Sequence, residues 1–108
     1  MTDNNIWFES NPKIYKGLSN KACALMLPMF YSIDEENAVH KNQFRKTVTW
    51  IKDPRTLNIY WNELVDKEFL VHLKKKIWMV SPHICYKGST SYSELLEKWN
   101  EACFATVS

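Results

Sequence analysis

The chain has 108 residues, 45% of them hydrophobic and 24% charged, which is the composition of an ordinary globular domain. At this length a single domain spanning residues 1–108 can bury enough surface to fold without a metal or disulfide. The three cysteines lack the paired spacing of a zinc site, no apolar run reaches membrane-spanning length, and the first residues do not form a secretory signal. We therefore expect a reduced, soluble, cytoplasmic protein without cofactor, metal or membrane contact.

The positive charge is concentrated in the middle of the chain. Ten Lys or Arg residues and four Asp or Glu residues lie between Asn37 and Ser89, whereas each flank has a net charge of −2. A central basic region of this kind suits a surface that binds nucleic-acid phosphates. An unevenly charged, solvated surface is the alternative interpretation.

The N-terminal part is predicted to form an arm followed by a helix. The arm covers about residues 1–16, and within it Ile6–Phe8 forms either a short strand or an apolar latch. The first helix begins after Gly17 with Ser19 as its N-cap, because the apolar residues that follow recur with helical spacing. Pro28 is expected to kink or divide this helix.

An acidic turn that ends at Asn37 is followed by a short strand at Ala38–His40. A second helix is predicted over Gln43–Lys52, because its apolar side chains fit one helical face and leave the basic side chains outward. The β-branched run Thr47-Val48-Thr49 within it would also fit a strand, so that alternative stays open.

The third helix has the clearest start in the chain, at Asp53-Pro54. Asp is a favourable N-cap, and Pro at the first helical position loses no hydrogen bond. The inward stripe consists of Leu57, Tyr60 or Trp61, Leu64 and Val65. The outward face is polar and basic, and it consists of Arg55, Thr56, Asn58, Ile59, Asn62 and Lys67.

A basic hairpin and a closing helix complete the pattern. The runs Phe69–Leu73 and Ile77–Ser81 are β-prone and are joined by Lys74-Lys75-Lys76, and Pro82 ends the second strand. The C-terminal helix covers about residues 91–105. It begins with a capping box at Ser91 and Glu94, and its apolar stripe consists of Tyr92, Leu95, Leu96, Trp99 and Cys103. The order predicts an α+β winged helix-turn-helix, mostly helical, with a small β-hairpin wing and an extra C-terminal helix.

Two segments carry a family resemblance. Asp53–Leu70, DPRTLNIYWNELVDKEFL, resembles the recognition helix of MarR-like winged helices. Lys76–Gly88, KIWMVSPHICYKG, is similar to the second wing strand of firmicute plasmid replication proteins of the RepL type, and Ile14–Val39 resembles their first helix. Glu68 stands where a Gly usually precedes the wing, and Ser81 where the family usually has Asn. The resemblance implies sequence-specific binding of double-stranded DNA, for plasmid or phage replication initiation or for transcription regulation.

The candidate DNA-binding residues follow from the chemistry of groove recognition. Arg pairs with guanine and Asn with adenine through two hydrogen bonds, and cations on either side fix the register on phosphates. The groove-facing set is Arg55, Thr56, Asn58, Ile59 and Asn62. The phosphate-facing set is Lys74, Lys75, Lys76, Lys41, Arg45 and Lys46. The alternatives are the wet face of an amphipathic helix and a lysine-rich turn that prevents edge pairing.

No catalytic grouping is found in the sequence, so we predict that the protein is not an enzyme. His40, His72 and His83 are isolated, and only Gly17 and Gly88 could contribute to a phosphate-binding glycine loop. Cys85 and Cys103 are expected in the core as small apolar groups.

A rival function uses the same scaffold to bind protein. The low net charge, the acidic flanks and two aromatic residues expected to be exposed, Trp50 and Trp78, suit a phage- or plasmid-encoded protein that binds and modulates a host protein. The apolar stripe of the C-terminal helix could pack on its own domain or join two chains, and a homodimer is the prediction.

Overall fold

The computed structural model describes residues 6–9, 11–87 and 91–107. Within these ranges the fold is α+β, as predicted, with four α-helices and two small antiparallel sheets. In chain order the elements are β1 (Ile6–Phe8), a 3-10 helix (Pro12–Tyr15), α1 (Asn20–Phe30), β2 (Ala38–His40), α2 (Lys41–Thr47), α3 (Pro54–Asp66), β3 (Leu70–Lys74), β4 (Ile77–Val80), β5 (Cys85–Lys87) and α4 (Tyr92–Val107). Residues 1–5 of the predicted arm and Gly88 lie outside the described residues. No described helix is long and apolar enough to cross a membrane.

The start of α1 is as predicted, and of the two outcomes expected at Pro28, a kink or a division, the division does not occur. The Ser19 hydroxyl accepts a hydrogen bond of 3.2 Å from the backbone N–H of Ala22, which caps the helix. The helix then continues through Pro28 to Phe30, so the predicted division at Pro28 is wrong. Pro28 cannot donate a hydrogen bond to the carbonyl of Ala24 in the preceding turn, yet the helix continues past it for two further residues.

The second helix is shorter than predicted. It begins at Lys41 and ends at Thr47, so the predicted range of Gln43–Lys52 is wrong at both ends. Val48 leaves the helical region with φ −92° and ψ 77°, at the centre of the β-branched run. Phe44, Val48 and Ile51 are nevertheless all buried, so the predicted apolar set is correct although only Phe44 lies on the helix.

The third helix begins as predicted, with Asp53 as its N-cap and Pro54 in its first turn. The Asp53 carboxylate accepts a hydrogen bond of 2.9 Å from the backbone N–H of Arg55, and Pro54 occupies the first turn. The inward side chains Leu57, Trp61 and Leu64 are fully buried. This burial fixes the opposite face of the helix toward the outside.

A left-handed residue ends α3. The N–H of Phe69 donates to the carbonyl of Leu64 at 2.9 Å, and the N–H of Glu68 donates to Val65 at 3.0 Å, which is the pairing of a Schellman motif. Glu68 adopts φ 64° at the position that glycine normally occupies in this motif.

The predicted hairpin is present as part of a three-stranded sheet with the order β2-β4-β3. Its first strand runs one residue later than predicted, so Lys74 belongs to β3 and only Lys75 and Lys76 form the turn. A second sheet pairs β1 with β5, which confirms the strand at Ile6–Phe8. Strand β5 was not predicted.

The larger sheet separates two apolar clusters, because neighbouring residues of a strand face opposite sides. Leu70 and Val80 belong to the main core with α1, α2 and α3. On the other face, Val71 and Met79 pack against the α4 side chains, which are Leu95 and Trp99. The hairpin is therefore held between the core and α4, with its tip projecting beside α2.

Candidate nucleic-acid interface

Four of the five residues predicted to read DNA lie on one exposed face of α3. Helical spacing of three and four residues aligns Arg55, Asn58, Ile59 and Asn62, and all four are exposed. Ile59 has 65% of its surface accessible although it is apolar. Thr56 is half-buried and lies at the side of this face. Because Leu57, Trp61 and Leu64 on the opposite side of α3 are buried, the helix cannot rotate about its axis and the exposed face keeps one orientation.

The first residue of this face is engaged at the helix start. The guanidinium of Arg55 forms an ion pair of 3.2 Å with the Asp53 carboxylate, and both side chains are largely exposed. The backbone and then the side-chain hydrogen bonds from Arg55 lower the pKa of Asp53. The side-chain amides of Asn58 and Asn62 have no hydrogen-bonding partner within the described part of the chain. These two amides are free to pair with a ligand.

The hairpin tip is held in place by two hydrogen bonds. The Nε2 of His72 lies 2.8 Å from the carbonyl oxygen of Lys75. The backbone of Lys75 adopts φ 47° in the turn. The backbone N–H of Lys41 donates to the carbonyl of Lys76 at 2.9 Å and thereby joins the start of α2 to the tip. The tip therefore has a defined position beside the helices.

The three hairpin lysines do not form one cluster. A register irregularity between His72 and Lys74 places Lys74 opposite Ile77, on the face of the sheet that α4 covers. There the pKa of Glu36 is lowered chiefly by a hydrogen bond of 2.8 Å from Lys98, with a smaller effect from the charge of Lys74. Lys74 is thus on the side of Glu36, whereas Lys76 is on the side of α2 and α3.

A cleft of about 190 Å³ brings together residues from three elements. It lies between α2, the first turns of α3 and the hairpin tip. Its lining residues are Lys41, Asn42, Arg45, Pro54, Leu57, Asn58 and Lys76. Four predicted site residues, Lys41, Arg45, Asn58 and Lys76, therefore share one concave surface. A neighbouring depression of about 530 Å³ is lined by Asn42, Arg45, Lys46, Thr49, Ile51 and Lys52.

Lys41 differs from the other cations because it is half-buried. Its Nζ lies 5.3 Å from the ring centre of Trp61 and 5.8 Å from that of Trp78, which are cation–π distances. Burial lowers the pKa of the Lys41 ammonium, and the nearby charge of Lys76 lowers it further. Trp78 was expected to be exposed, and that expectation is wrong because the indole packs edge-on against Trp61. The supporting role of Trp61 and Trp78 was not predicted.

Within the described residues no carboxylate forms an ion pair with a cation of the cleft, although the charge of Arg45 acts on the nearby Asp53. In residues 6–9, 11–87 and 91–107 the ion pairs are Arg55 with Asp53 and Lys98 with Glu36. Lys41, Arg45 and Lys76 therefore face the cleft without a carboxylate in contact. Such a site attracts anions.

The remaining reactive side chains do not gather at this surface. The part of the chain that the structure describes contains no group of three His, Cys, Asp or Glu residues able to hold a metal ion. Burial raises the pKa of the Cys85 thiol to about 12, and it also raises the pKa values of Cys23 and Cys103. Cys85 is fully buried, as predicted, and Cys103 lies beside the α4 cluster.

Comparison with family models, curated proteins and solved structures finds no significant match.

Proposed function

We propose that the protein is a winged helix-turn-helix that binds double-stranded DNA in a sequence-specific manner. The observation that carries this proposal is the position of the exposed α3 face beside the unpaired cations of α2 and the hairpin tip. In this arrangement α3 enters the major groove and the β3–β4 hairpin is the wing that contacts the adjacent backbone. The resemblance to RepL-type and MarR-like proteins is in line with it, and it favours replication initiation or transcription regulation.

Base reading is assigned to the outward residues of α3. The amides of Asn58 and Asn62 can each form two hydrogen bonds with adenine, and Ile59 offers an apolar contact to the methyl group of thymine. Arg55 reaches guanine by exchanging its ion pair with Asp53 for the base. Thr56 lies at the edge of the groove contact.

Backbone binding is assigned to the cations around this face. Lys41, Arg45, Lys46 and the wing lysines Lys75 and Lys76 would neutralise phosphates on both sides of the groove. Lys74, on the other face of the sheet, contributes to the positive field without direct contact. This division predicts unequal effects for three neighbouring lysines.

The proposal is tested by fluorescence anisotropy with a mixed-sequence duplex at low salt. We expect binding that weakens steeply with salt, with a slope of about −4 or steeper if five or more phosphates are neutralised. The paired variant Arg45→Gln with Lys46→Gln should bind more weakly. The matched control is Lys13→Gln with Lys21→Gln, which removes the same charge from the N-terminal part of the chain, outside the central basic region. Absence of binding by the unmodified protein at low salt contradicts the proposal.

A second candidate function, binding and modulation of a host protein, is favoured by a separate apolar groove. This groove of about 480 Å³ runs along the edge of β3, and it is lined by Val65, Glu68, Leu70, Val71, His72, Trp78, Trp99 and Cys103. Trp50, with 48% of its surface accessible, adds an apolar contact on another face. A protein partner of such surfaces would bind with little dependence on salt, in contrast to DNA.

The homodimer predicted through the C-terminal helix is also retained as a proposal. Leu95 and Trp99 pack on the sheet of their own chain, and Phe104, 71% accessible, is more exposed than Tyr92 on the same helix and is the residue proposed to contact a partner helix. Sedimentation should give a dimer mass for the unmodified protein and a monomer mass for Phe104→Glu. A monomer mass at every concentration of the unmodified protein rules the dimer out.

A further inference from the structure

Three cations from two elements meet at the cleft between α2, α3 and the hairpin tip. Lys41 begins α2, Arg45 lies one turn later, and Lys76 comes from the hairpin. The exposed amides of Asn42 and Asn58 lie at the same cleft. No carboxylate within the described ranges pairs with these cations, although the chain has 12 acidic residues. The cleft therefore concentrates positive charge, which within the described residues is offset only in part, by the nearby charge of Asp53 on Arg45.

The backbone keeps two of these charges close together. The N–H of Lys41 donates to the carbonyl of Lys76, so the two residues cannot separate without breaking that bond. The Lys41 ammonium is also drawn over Trp61 and Trp78, where it loses part of its water. Like charges that are close and partly desolvated repel each other, and an anion between them relieves the repulsion.

We propose that this cleft is a binding site for one phosphate group, held between Lys41, Arg45 and Lys76. The side-chain amides of Asn42 and Asn58 donate hydrogen bonds to it at the rim. At about 190 Å³ the cleft is smaller than the cavities that usually enclose whole small-molecule ligands, so its occupant is a compact group.

The phosphate belongs either to a DNA backbone or to a free phosphate ion. Asn58 lies both on the base-reading face of α3 and at the cleft, so a phosphate held there is adjacent to the major-groove contact. The assignment to DNA rests on the proposed function, whereas the site itself does not.

The site is tested first with inorganic phosphate. Phosphate is titrated into isotope-labelled protein, with sodium chloride lowered to keep the ionic strength constant, and amide chemical shifts are recorded. We expect saturable shifts at Lys41, Asn42, Asn58 and Lys76, which disappear in Lys76→Gln and persist in Lys21→Gln. Because Lys76 is exposed, its replacement leaves the fold intact, and the same spectra verify that. Absent shifts, or equal shifts in Lys76→Gln, overturn the site.

The DNA arm asks whether Lys41 and Lys76 act on the same phosphate. Lys41→Gln and Lys76→Gln should each weaken binding about three- to tenfold, and the double variant should reduce the salt slope by about one. The fold-loss of DNA affinity in the double variant should be smaller than the product of the fold-losses in the two single variants, because Lys41 and Lys76 contact the same phosphate. The control pair Lys52→Gln and Lys76→Gln should give the product. Multiplicative losses for Lys41 and Lys76 overturn the shared site.

Failure of the inference and failure of the proposed function give different results. Phosphate-induced shifts at the cleft without DNA binding leave the site standing for free phosphate and reject the DNA function. DNA binding without phosphate-induced shifts, and without an effect of Lys76→Gln, retains the DNA function and rejects the site.

Lys41→Arg preserves the charge, so it should restore most of the affinity lost in Lys41→Gln.

Discussion

The side-chain amide nitrogen of Asn37 lies 2.7 Å from the carbonyl oxygen of Cys85 and donates a hydrogen bond to it. The same nitrogen donates to the carbonyl of Val80 at 3.1 Å, and the backbone carbonyl of Asn37 accepts from the N–H of Val80 at 2.8 Å. Asn37 is fully buried and adopts φ 58°, a conformation that Asn tolerates better than most residues. One residue of the acidic turn therefore joins β4 to β5.

Replacement of Asn37 should destabilise the fold more than replacement of an exposed Asn. Asn37→Ala removes the donor for two carbonyl groups in the interior and should lower the free energy of unfolding by roughly 2 kcal/mol or more. Asn37→Asp keeps the shape but places an oxygen toward both carbonyl oxygens, so a similar or larger loss is expected. Urea denaturation measures both.

The matched controls for Asn37 are Asn100→Ala and Asn100→Asp on the exposed face of α4. They should change the free energy of unfolding by no more than about 0.5 kcal/mol. Equal effects at Asn37 and Asn100 would show that the buried amide contributes nothing specific.

Glu68→Gly is expected to stabilise the protein. A left-handed residue with a side chain costs about 1–2 kcal/mol, and glycine avoids this cost while losing roughly 0.5–1 kcal/mol of backbone entropy. The free energy of unfolding should therefore rise by about 0.5 kcal/mol. Glu68→Ala retains the left-handed conformation with a Cβ, so it serves as the control and should give no gain. A loss of stability in Glu68→Gly would contradict the argument.

The features that the sequence predicts correctly depend on local interactions. The Asp53 cap of α3 and the Ser19 cap of α1 each involve residues within a few positions, so the sequence contains all that the structure uses. The left-handed conformation of Glu68 was not predicted, because the sequence has no glycine at this position to indicate it. The predicted range of α2 was wrong because Val48 and Ile51 are buried in the core although they lie outside the helix.

Long-range relationships were beyond the sequence patterns. Strand β5 is only three residues long, and it is defined by its pairing with β1 at the other end of the chain. The position of Lys41 over Trp61 and Trp78 likewise depends on how the hairpin meets α2. Lys74 and Lys76 lie on different sides of the hairpin because of one register irregularity between His72 and Lys74. No residue pattern in the sequence predicts that irregularity.

Alkaline pH should destabilise the fold through the buried thiol of Cys85 and the half-buried hydroxyl of Tyr15. Burial raises the pKa of the Cys85 thiol from 9.0 to about 12. Burial also raises the pKa of Tyr15 from 10.0 to about 12, with smaller effects from the charges of Cys85, Glu9 and Cys23. The folded state therefore retains protons that the unfolded state has lost, and the free energy of unfolding should fall as pH rises from about 9 toward 12.

Urea denaturation across this pH range measures the effect of the two groups. Cys85→Ala should flatten the decline that begins near pH 9, and Tyr15→Phe the part that begins near pH 10. A thiol reagent at pH 8 should leave Cys85 unmodified until urea unfolds the protein, since a buried protonated thiol is unreactive. A pH-independent free energy of unfolding in the unmodified protein would contradict the assignment.

The base-reading role of α3 predicts different behaviour for its amides and for the phosphate-binding cations. A preferred sequence is first selected from a random duplex library, and affinities are then compared for that sequence and for mixed DNA. Asn58→Ala and Asn62→Ala should each weaken the selected complex by about five- to 150-fold, which corresponds to 1–3 kcal/mol, and leave mixed DNA nearly unchanged. Loss of two hydrogen bonds to one base is the physical reason.

Lys46→Gln is the control for these variants, because a phosphate contact carries no sequence information. It should weaken both complexes by the same factor and reduce the salt slope by about one. Asn58 also lies at the proposed phosphate site, so Asn58→Ala should retain a small loss on mixed DNA that Asn62→Ala does not show. Equal losses on selected and mixed DNA for Asn62→Ala would remove α3 from base recognition and leave it a backbone-binding helix.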